Sequence, residues 1–338
     1  MSINRRFLLT RRPIGNPVFE DFKLVEEPIP TLQPGSLIVR NHYLSLDPAQ
    51  RLWMDDGPNP LPPIRLGDPV RAASIGVVYE SDNSDFQVGD WVVGLTAMED
   101  YSIIVEPNEF TTKVDISSVD SPTRYLSIMG AVGFTAYFGL LTDGKPQPGE
   151  TVVISAAAGA VGSVAGQIAK IMGCRVVGIA GGPEKCRRLI NDYGFDIAID
   201  YRGKNVETLA EEIQAAAPEG VNIVFENVGG FVLDAELRNI ADFARIILCG
   251  MISEYNAADQ IGTHNLRPIL DKSATLKGFR IASHAIEFAQ AGPVMAKWVN
   301  EGRLHMDEDI QEGLENSYLA FMRLFSGENT GKLILKIT

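Results

Sequence analysis

Over residues 1–121 the apolar positions fall in short alternating or β-branched runs: SLIVRNHYLSL (36–46), AASIGVVYES (72–81), DWVVGL (90–95) and YSIIVE (101–106). Pro, Gly, Asp and Asn separate them, which predicts strands of a small β-rich domain. FQVGDWVVG (86–94) places a Gly-Asp turn between two such runs and predicts a hairpin. From Pro122 the texture changes. PTRYLSIMGAVGFTAYFGLLTDG (122–144) reads as a helical stretch, entered by Ser-Pro and closed by Asp143-Gly144. Strands and helices then alternate. TVVISA, RVVGIA, DIAID, VNIVFE, ARIILCG and ATLKGF are the strand runs, with GSVAGQIAKIMG, PEKCRRLINDYG, NVETLAEEIQAAAPEG and GGFVLDAELRNIADF as helical patterns between them. Apolar β-runs each followed by a helix predict a parallel sheet covered on both faces, a doubly wound α/β unit. A last helix, AIEFAQAGPVMAKWVNEG (285–302), precedes GKLILKI (331–337), a strand expected to return to the first domain.

The run SAAAGAVGSVAGQIAK (155–170) is almost all small residues and directly follows the buried strand TVVISA. It contains the pattern G-x-G-x-x-G with Ala157 in the first place, followed by Gly159 and Gly162. Ala157 permits the tight turn, Gly159 lets main chain approach a pyrophosphate, and Gly162 lets the helix pack closely on the sheet. Phosphates would then meet unpaired N–H groups at the positive end of a helix dipole. Glycine patterns of this kind are often no more than tight turns; here the preceding strand and following helix supply the context the motif requires. A site for NAD expects Asp or Glu at the end of the second strand, to hold the ribose hydroxyls. RVVGIA ends instead in Gly181-Gly182-Pro183-Glu184-Lys185. Lys185 suits a 2′-phosphate, which favours NADPH. Alternatively Lys185, Arg187 and Arg188 form a solvated helix face, with Glu184 complementing the dipole.

Composition narrows the partners. Of the 338 residues 45% are hydrophobic and 22% charged, with a net charge of −13, so a basic face for nucleic acid or anionic membrane is not expected. Cys174, Cys186 and Cys249 are odd in number and lack metal-type spacing, which suits a reducing cytoplasm. NRRFLLTRRP has only three apolar residues between its arginine pairs, too few for a signal peptide. Residues 151–169 are long enough to span a bilayer but are Gly/Ala/Ser-rich with Gln167 inside, as a cofactor-binding turn and helix would be. His42, His264, His284 and His305 are scattered without ligand spacing, so no metal site is expected.

YLSLDPAQR, GFTAYFGLL, AAAGAVGSVAGQIAK, GCRVVGIAGGPEKC, FENVGG, LCGMISEYN and GENTGK, in that order along nearly the whole chain, resemble the zinc-independent medium-chain dehydrogenase/reductases. The nearest resemblance is to the prostaglandin reductases, plant double-bond reductases and bacterial curcumin reductases, and RRPIGNPVFEDFKLVEEPIP resembles the bacterial members. The resemblance implies a GroES-like β-barrel catalytic domain (1–121, completed by 304–338) and a Rossmann NADPH-binding domain (122–303). It implies that Gly159, Ala160, Val161, Gly162 and Ser163 meet the pyrophosphate, with Gly181 nearby, Lys185 on the 2′-phosphate and Tyr201 along the adenosine phosphate. Asn227, with Cys249, Gly250, Met251, Ile252, Ser253 and Tyr255, would line the ribose and nicotinamide side. Thr135, the segment Phe279 to Ala285 with Ile281, and Asn329 would complete the pocket. Two departures stand out: Glu226 where the family usually has Asp, and Asp47-Pro48-Ala49-Gln50-Arg51 in place of DPYMR. The comparable barrel stretch GDPVRAASIGVV holds neither His nor Cys, unlike the zinc-dependent relatives.

Conjugate reduction of an enone or enal needs hydride at the β-carbon and a hydrogen-bond donor for the developing oxyanion. Tyr255 is the candidate donor; the other reading has it only packing on the nicotinamide ribose. Tyr43 and Trp53 are candidate walls of the substrate cleft, or core aromatics, as are Tyr101 and Tyr137. The leading expectation is an NADPH-dependent reductase of α,β-unsaturated aldehydes and ketones. A zinc-free quinone reductase and a non-catalytic NADPH-binding redox sensor are the alternatives. A homodimer is expected mainly because the resemblance implies one; ATLKGFRIA would also be an exposed apolar edge unless paired with its twin.

Overall fold

The computed structural model describes residues 3–57, 59, 61–257 and 262–338. The chain forms two compact units, residues 1–130 with 308–338, and residues 131–307. The first unit opens with β1 (Ile3–Leu9), β2 (Phe22–Pro28), β3 (Leu37–Ser45), helix α1 (Gln50–Trp53), β4 (Arg71–Ser81), β5 (Trp91–Ala97), β6 (Tyr101–Ile104) and β7 (Thr112–Lys113). The second runs α2 (Ala131–Phe138), β8 (Thr151–Ile154), α3 (Ala160–Ile171), β9 (Arg175–Ala180), α4 (Pro183–Asn191) and β10 (Ile197–Asp200). It continues through α5 (Val206–Ala216), β11 (Val221–Glu226), α6 (Gly230–Leu237), β12 (Ile240–Leu248), α7 (Arg267–Asp271), β13 (Thr275–Gly278) and α8 (Phe288–Asn300). The tail re-enters the first unit with β14 (Glu308–Glu312), α9 (Ser317–Ser326) and β15 (Lys332–Lys336).

In the first unit a seven-stranded sheet runs β14-β15-β3-β4-β5-β7, with β6 also on β3, and β1 pairs with β2. The tail strand β15 is antiparallel to β3, with Ile334 opposite Ser45. Buried Lys332 fastens this junction by donating to Leu46 O and to Asp47 Oδ1, both at 2.8 Å. The GENTGK and DPAQR segments are thereby joined. The hairpin departs from the expected one: β4 pairs with β5, Val77 opposite Trp91, and residues 86–90 lie in the connection 82–90. Gly89 at φ 95° donates to Val78 O, and the Asp90 carboxylate accepts from Gln87 N–H, so FQV closes a turn instead of extending.

The expected helix over 122–144 is broken. A 3₁₀ turn at Pro122–Tyr125 is followed by α2 and a π turn at Gly139–Gly144. At Gly130 the chain folds back so tightly that a Cβ would stand 2.2 Å from Tyr125 O. Within the first unit the Glu308 carboxylate gathers the Thr123 hydroxyl at 2.6 Å and Arg124 at 3.2 Å, along with the Ser127 hydroxyl.

In the second unit six parallel strands take the order β10-β9-β8-β11-β12-β13, which is 3-2-1-4-5-6 counted from β8 and is the dinucleotide-binding order. Val152, Val153, Ile154, Val176, Val177, Ile223 and Val224 are fully buried, as a sheet covered on both faces requires. The helical pattern of 229–243 stops early. α6 ends at Leu237, the Asn239 amide caps Ala235 O at 3.0 Å, and Ile240 already pairs with Val221 in β12.

The small residues of α3 answer two demands. A Cβ at Gly162 would lie 2.6 Å from Ala156 O and 2.8 Å from Ala157 Cα, and one at Gly166 would enter the Phe195 ring. Gly162→Ala gains helix propensity of about 1 kcal/mol but forces the helix off the turn, and the clash wins. The variant is expected to lose about 2 kcal/mol in urea unfolding. Gly292→Ala in α8, with open space within 4 Å, is expected to gain about 0.5–1 kcal/mol.

Candidate functional site

The first crossover leaves β8 through Ala156, held at φ 47°, and enters α3 at Gly159, which has extended dihedrals and no side-chain cap. Ser163 N–H reaches Gly159 O at 3.0 Å, the first bond of the helix. The N–H groups of Ala160, Val161 and Gly162 precede it and have no carbonyl within the helix to bond. A side chain at Gly159 would stand 3.1 Å from Ala156 O and would cover this opening. The turn lies at the switch point, between β9 and β11 as they leave β8, and its open N–H groups and bare backbone fit a dinucleotide pyrophosphate.

The loops after β9 and β10 meet beside it. Asp200 Oδ1 accepts from Gly182 N–H at 2.8 Å and from Arg202 N–H at 3.0 Å, clamping the two loops together. A Cβ at Gly181 would lie 3.2 Å from the Tyr201 hydroxyl, and one at Gly182 2.9 Å from Arg202 Nη1. Lys185 stands one turn into α4. Burial, then the charges of Arg202 and Arg188, push its ammonium below the ordinary lysine value. Gly181, Lys185, Tyr201 and Arg202 therefore share one corner, in which two cations lie close together. Arg202 was not among the expected site residues. Its only sequence signal is a cation two positions past a strand end in DYRG.

Across the switch point the ends of β8, β11 and β12 converge. The Asn227 amide donates to Ser155 O at 2.8 Å and its main-chain N–H to Ser155 Oγ at 2.8 Å, while that hydroxyl donates to Glu226. Glu226 also takes the N–H groups of Val228, at 2.8 Å, and Gly229. Cys249 and Gly250 donate main-chain N–H groups to Glu226 O. Cys249 itself is pushed up to about 12 by burial and the Glu226 charge, so its thiol is inert as a nucleophile. Met251 opens the short 3₁₀ turn Ile252–Glu254, and Ser253 Oγ donates to Val228 O. Tyr255 closes that turn. Its hydroxyl accepts from Met251 N–H at 3.2 Å, and burial raises the phenol above its usual value, so it keeps a proton to donate.

Thr135 is half-buried on α2. Phe279 and Ile281 flank the start of the turn that carries His284, whose ring stacks between Phe138 and Phe279 at centroid distances of 4.8 and 5.6 Å. Among the remaining expected residues, Asn329, Tyr43 and Trp53 belong to the first unit. Asn329 donates to Gly331 O at 3.0 Å. Tyr43 packs against Ile75, Leu126 and Ile334. Trp53 packs on the barrel core under the Arg71 guanidinium, 5.7 Å from the ring centre.

The two arginines of α4 separate. Arg187 is exposed and pairs with Glu184 at 2.7 Å, which is the solvated face the sequence suggested. Arg188 is buried against Tyr193 and Asp307 and corrects that reading. Sequence alone cannot distinguish them, because adjacent positions on a helix differ by about 100° in direction. Among the described residues no group of three or more His, Cys, Asp or Glu side chains is arranged to hold a metal ion.

Strand order, glycine turn and helix opening together define a dinucleotide-binding protein. Residues 5–114 match the family model of the N-terminal domain of oxidoreductase, and residues 160–297 that of zinc-binding dehydrogenase. The chain is 40% identical to the NADPH-dependent curcumin reductase of Escherichia coli, over 99% of this chain and 97% of that one. It is 36% identical to the NADP(+)-dependent 2-alkenal reductase of Nicotiana tabacum, over 99% and 98%. The crystal structure of CurA from Vibrio vulnificus in complex with NADPH superposes with a TM-score of 0.90 at 37% identity, over 99% of each chain. The chain belongs to the medium-chain dehydrogenase/reductase family, in the group of the curcumin, 2-alkenal and prostaglandin reductases.

Proposed function

We propose that this protein is an NADPH-dependent reductase of the carbon–carbon double bond in α,β-unsaturated aldehydes and ketones. One observation carries the reading: full-length similarity to two reductases named for curcumin and for 2-alkenals, both of which contain a double bond conjugated to a carbonyl. NADPH, when bound, supplies the hydride. The first turn of α3 holds the pyrophosphate, and Lys185 with Arg202 holds the 2′-phosphate. Asn227 and the Cys249–Tyr255 segment position the nicotinamide side. Hydride adds at the β-carbon of the substrate, the π electrons move to the carbonyl oxygen, and the Tyr255 hydroxyl donates to the oxyanion as it develops. The resulting enolate would take its proton at the α-carbon from water. The test follows NADPH absorbance with an enal, a curcumin-like dienone and a quinone on one batch of enzyme. Fast oxidation with the first two supports the reading; a quinone-only response or no oxidation overturns it.

The same reading places two copies side by side. β13 lies at the edge of its sheet with all four residues, Leu276 among them, exposed, and Leu270 of α7 is exposed as well. Pairing this edge with its twin would cover it. Light scattering is expected to give a homodimer, and a monomer would refute the pairing. A cytoplasmic location is part of the proposal, in keeping with three unpaired cysteines.

A further inference from the structure

Glu236 on α6 and Glu226 at the end of β11 are both fully buried. Glu226 already accepts from the Ser155 hydroxyl and from the N–H groups of Val228 and Gly229. Neither carboxyl oxygen of Glu236 meets a donor, and the polar group beside it is the Glu226 carboxylate. Among the described residues neither forms an ion pair, and Arg238 and Arg245 are engaged by Glu207 and Glu150. On α5, which packs against α6, Leu209, Ala210 and Ile213 belong to the buried apolar cluster, while Glu207, Glu211 and Glu212 are exposed. On α6 itself Asp234 is occupied by Thr263 and by the N–H groups of His264 and Asn265. Cys249 is the other titratable group next to Glu226, and it remains a thiol.

Two carboxylates cannot both stay charged in such a place. Facing acceptors become a hydrogen bond as soon as one holds a proton. We propose that Glu236 and Glu226 share one proton, carried by Glu236 and donated to Glu226, and that Glu236 is thereby a positioning residue for the Asn227–Gly229 turn. That donation completes the acceptor shell of Glu226, which in turn fixes the 228 and 229 N–H groups; the link to the nicotinamide rests on the function proposed above. Burial first, then the Glu226 charge, moves Glu236 well above the ordinary glutamate value of 4.5. Unfolded chains therefore release this proton at lower pH than folded ones. Stability from the pair is complete below pH 4.5 and is lost as pH rises toward the folded value.

Glu236→Gln keeps a donor and cannot ionise. The apo variant is expected to melt higher than wild type at neutral and alkaline pH, with the gap closing in acid. Infrared difference spectra should show a buried carboxylic-acid C=O band in wild type at neutral pH, absent in Glu236→Gln. For positioning, Glu236→Leu should weaken NADPH binding about tenfold by fluorescence titration, while Glu236→Gln stays within about twofold. A lower-melting Glu236→Gln, or an acid band that survives in it, overturns the shared proton. Wild-type affinity in Glu236→Leu overturns the positioning role. Failure of wild type to bind NADPH at all would remove the cofactor reading and the positioning with it, while melting and infrared results still decide the proton pair.

Discussion

Replacing Lys185 and Arg202 together with alanine is expected to weaken NADPH binding by about a hundredfold or more while leaving NADH within about threefold. The two cofactors differ only in the 2′-phosphate, which carries close to two negative charges at neutral pH. Each cation at this corner would make charge-assisted hydrogen bonds to it, worth about 1.5–3 kcal/mol apiece. Both groups keep some contact with solvent, so the lower end of that range applies. Losing two such bonds gives about 3 kcal/mol, or a hundredfold. Calorimetric titration with each nucleotide measures the split, and equal losses for both would remove the 2′-phosphate assignment. The same corner predicts a pH effect. Burial and the neighbouring arginines hold Lys185 below 10.5, and only its protonated form attracts phosphate. NADPH affinity should fall with rising pH through that lowered value, with proton uptake on binding, and the fall should vanish in Lys185→Ala.

Tyr255→Phe is expected to cut kcat with an enal about a hundredfold, near 3 kcal/mol, and to leave KM for NADPH within about twofold. The two effects separate because the ring, which would pack on the cofactor, is retained while the donor is removed. Phenylalanine also leaves Met251 N–H without its acceptor, so unfolding should show a small loss, about 1 kcal/mol. Steady-state kinetics with the variant decide the matter. Full turnover would mean that the hydroxyl serves only Met251 and that another group stabilises the oxyanion.

Much of this site is legible in one dimension. A buried strand, a turn of small residues and a helix are contiguous, so the turn at 156–162 that is proposed to meet the pyrophosphate can be read from TVVISAAAGAVG directly. The absence of an acid after RVVGIA, with Lys185 following, is equally local. Other features escape because they depend on which strands become neighbours. Arg202 reaches Gly182 only because β10 lies beside β9, with Asp200 opposite Ala180. Lys332 and Asp47 meet across 285 positions. Glu236 reads as one more polar helix position, and nothing near it in sequence reveals that α6 turns it inward onto Glu226. The overrun of the 229–243 helix has the same origin: Asn239 caps α6 and Ile240 is claimed by β11.

By itself, then, the order of residues determined the alternation of strands and helices, the turn of small residues after β8 and the presence of Lys185 where no acid stands, since each rests on neighbours a few bonds apart. Tertiary structure alone decided which arginine is buried, which cation joins Lys185, and which two glutamates must divide a proton. Those outcomes depend on burial and on charges brought together across the sheet, and neither quantity exists until the chain has folded.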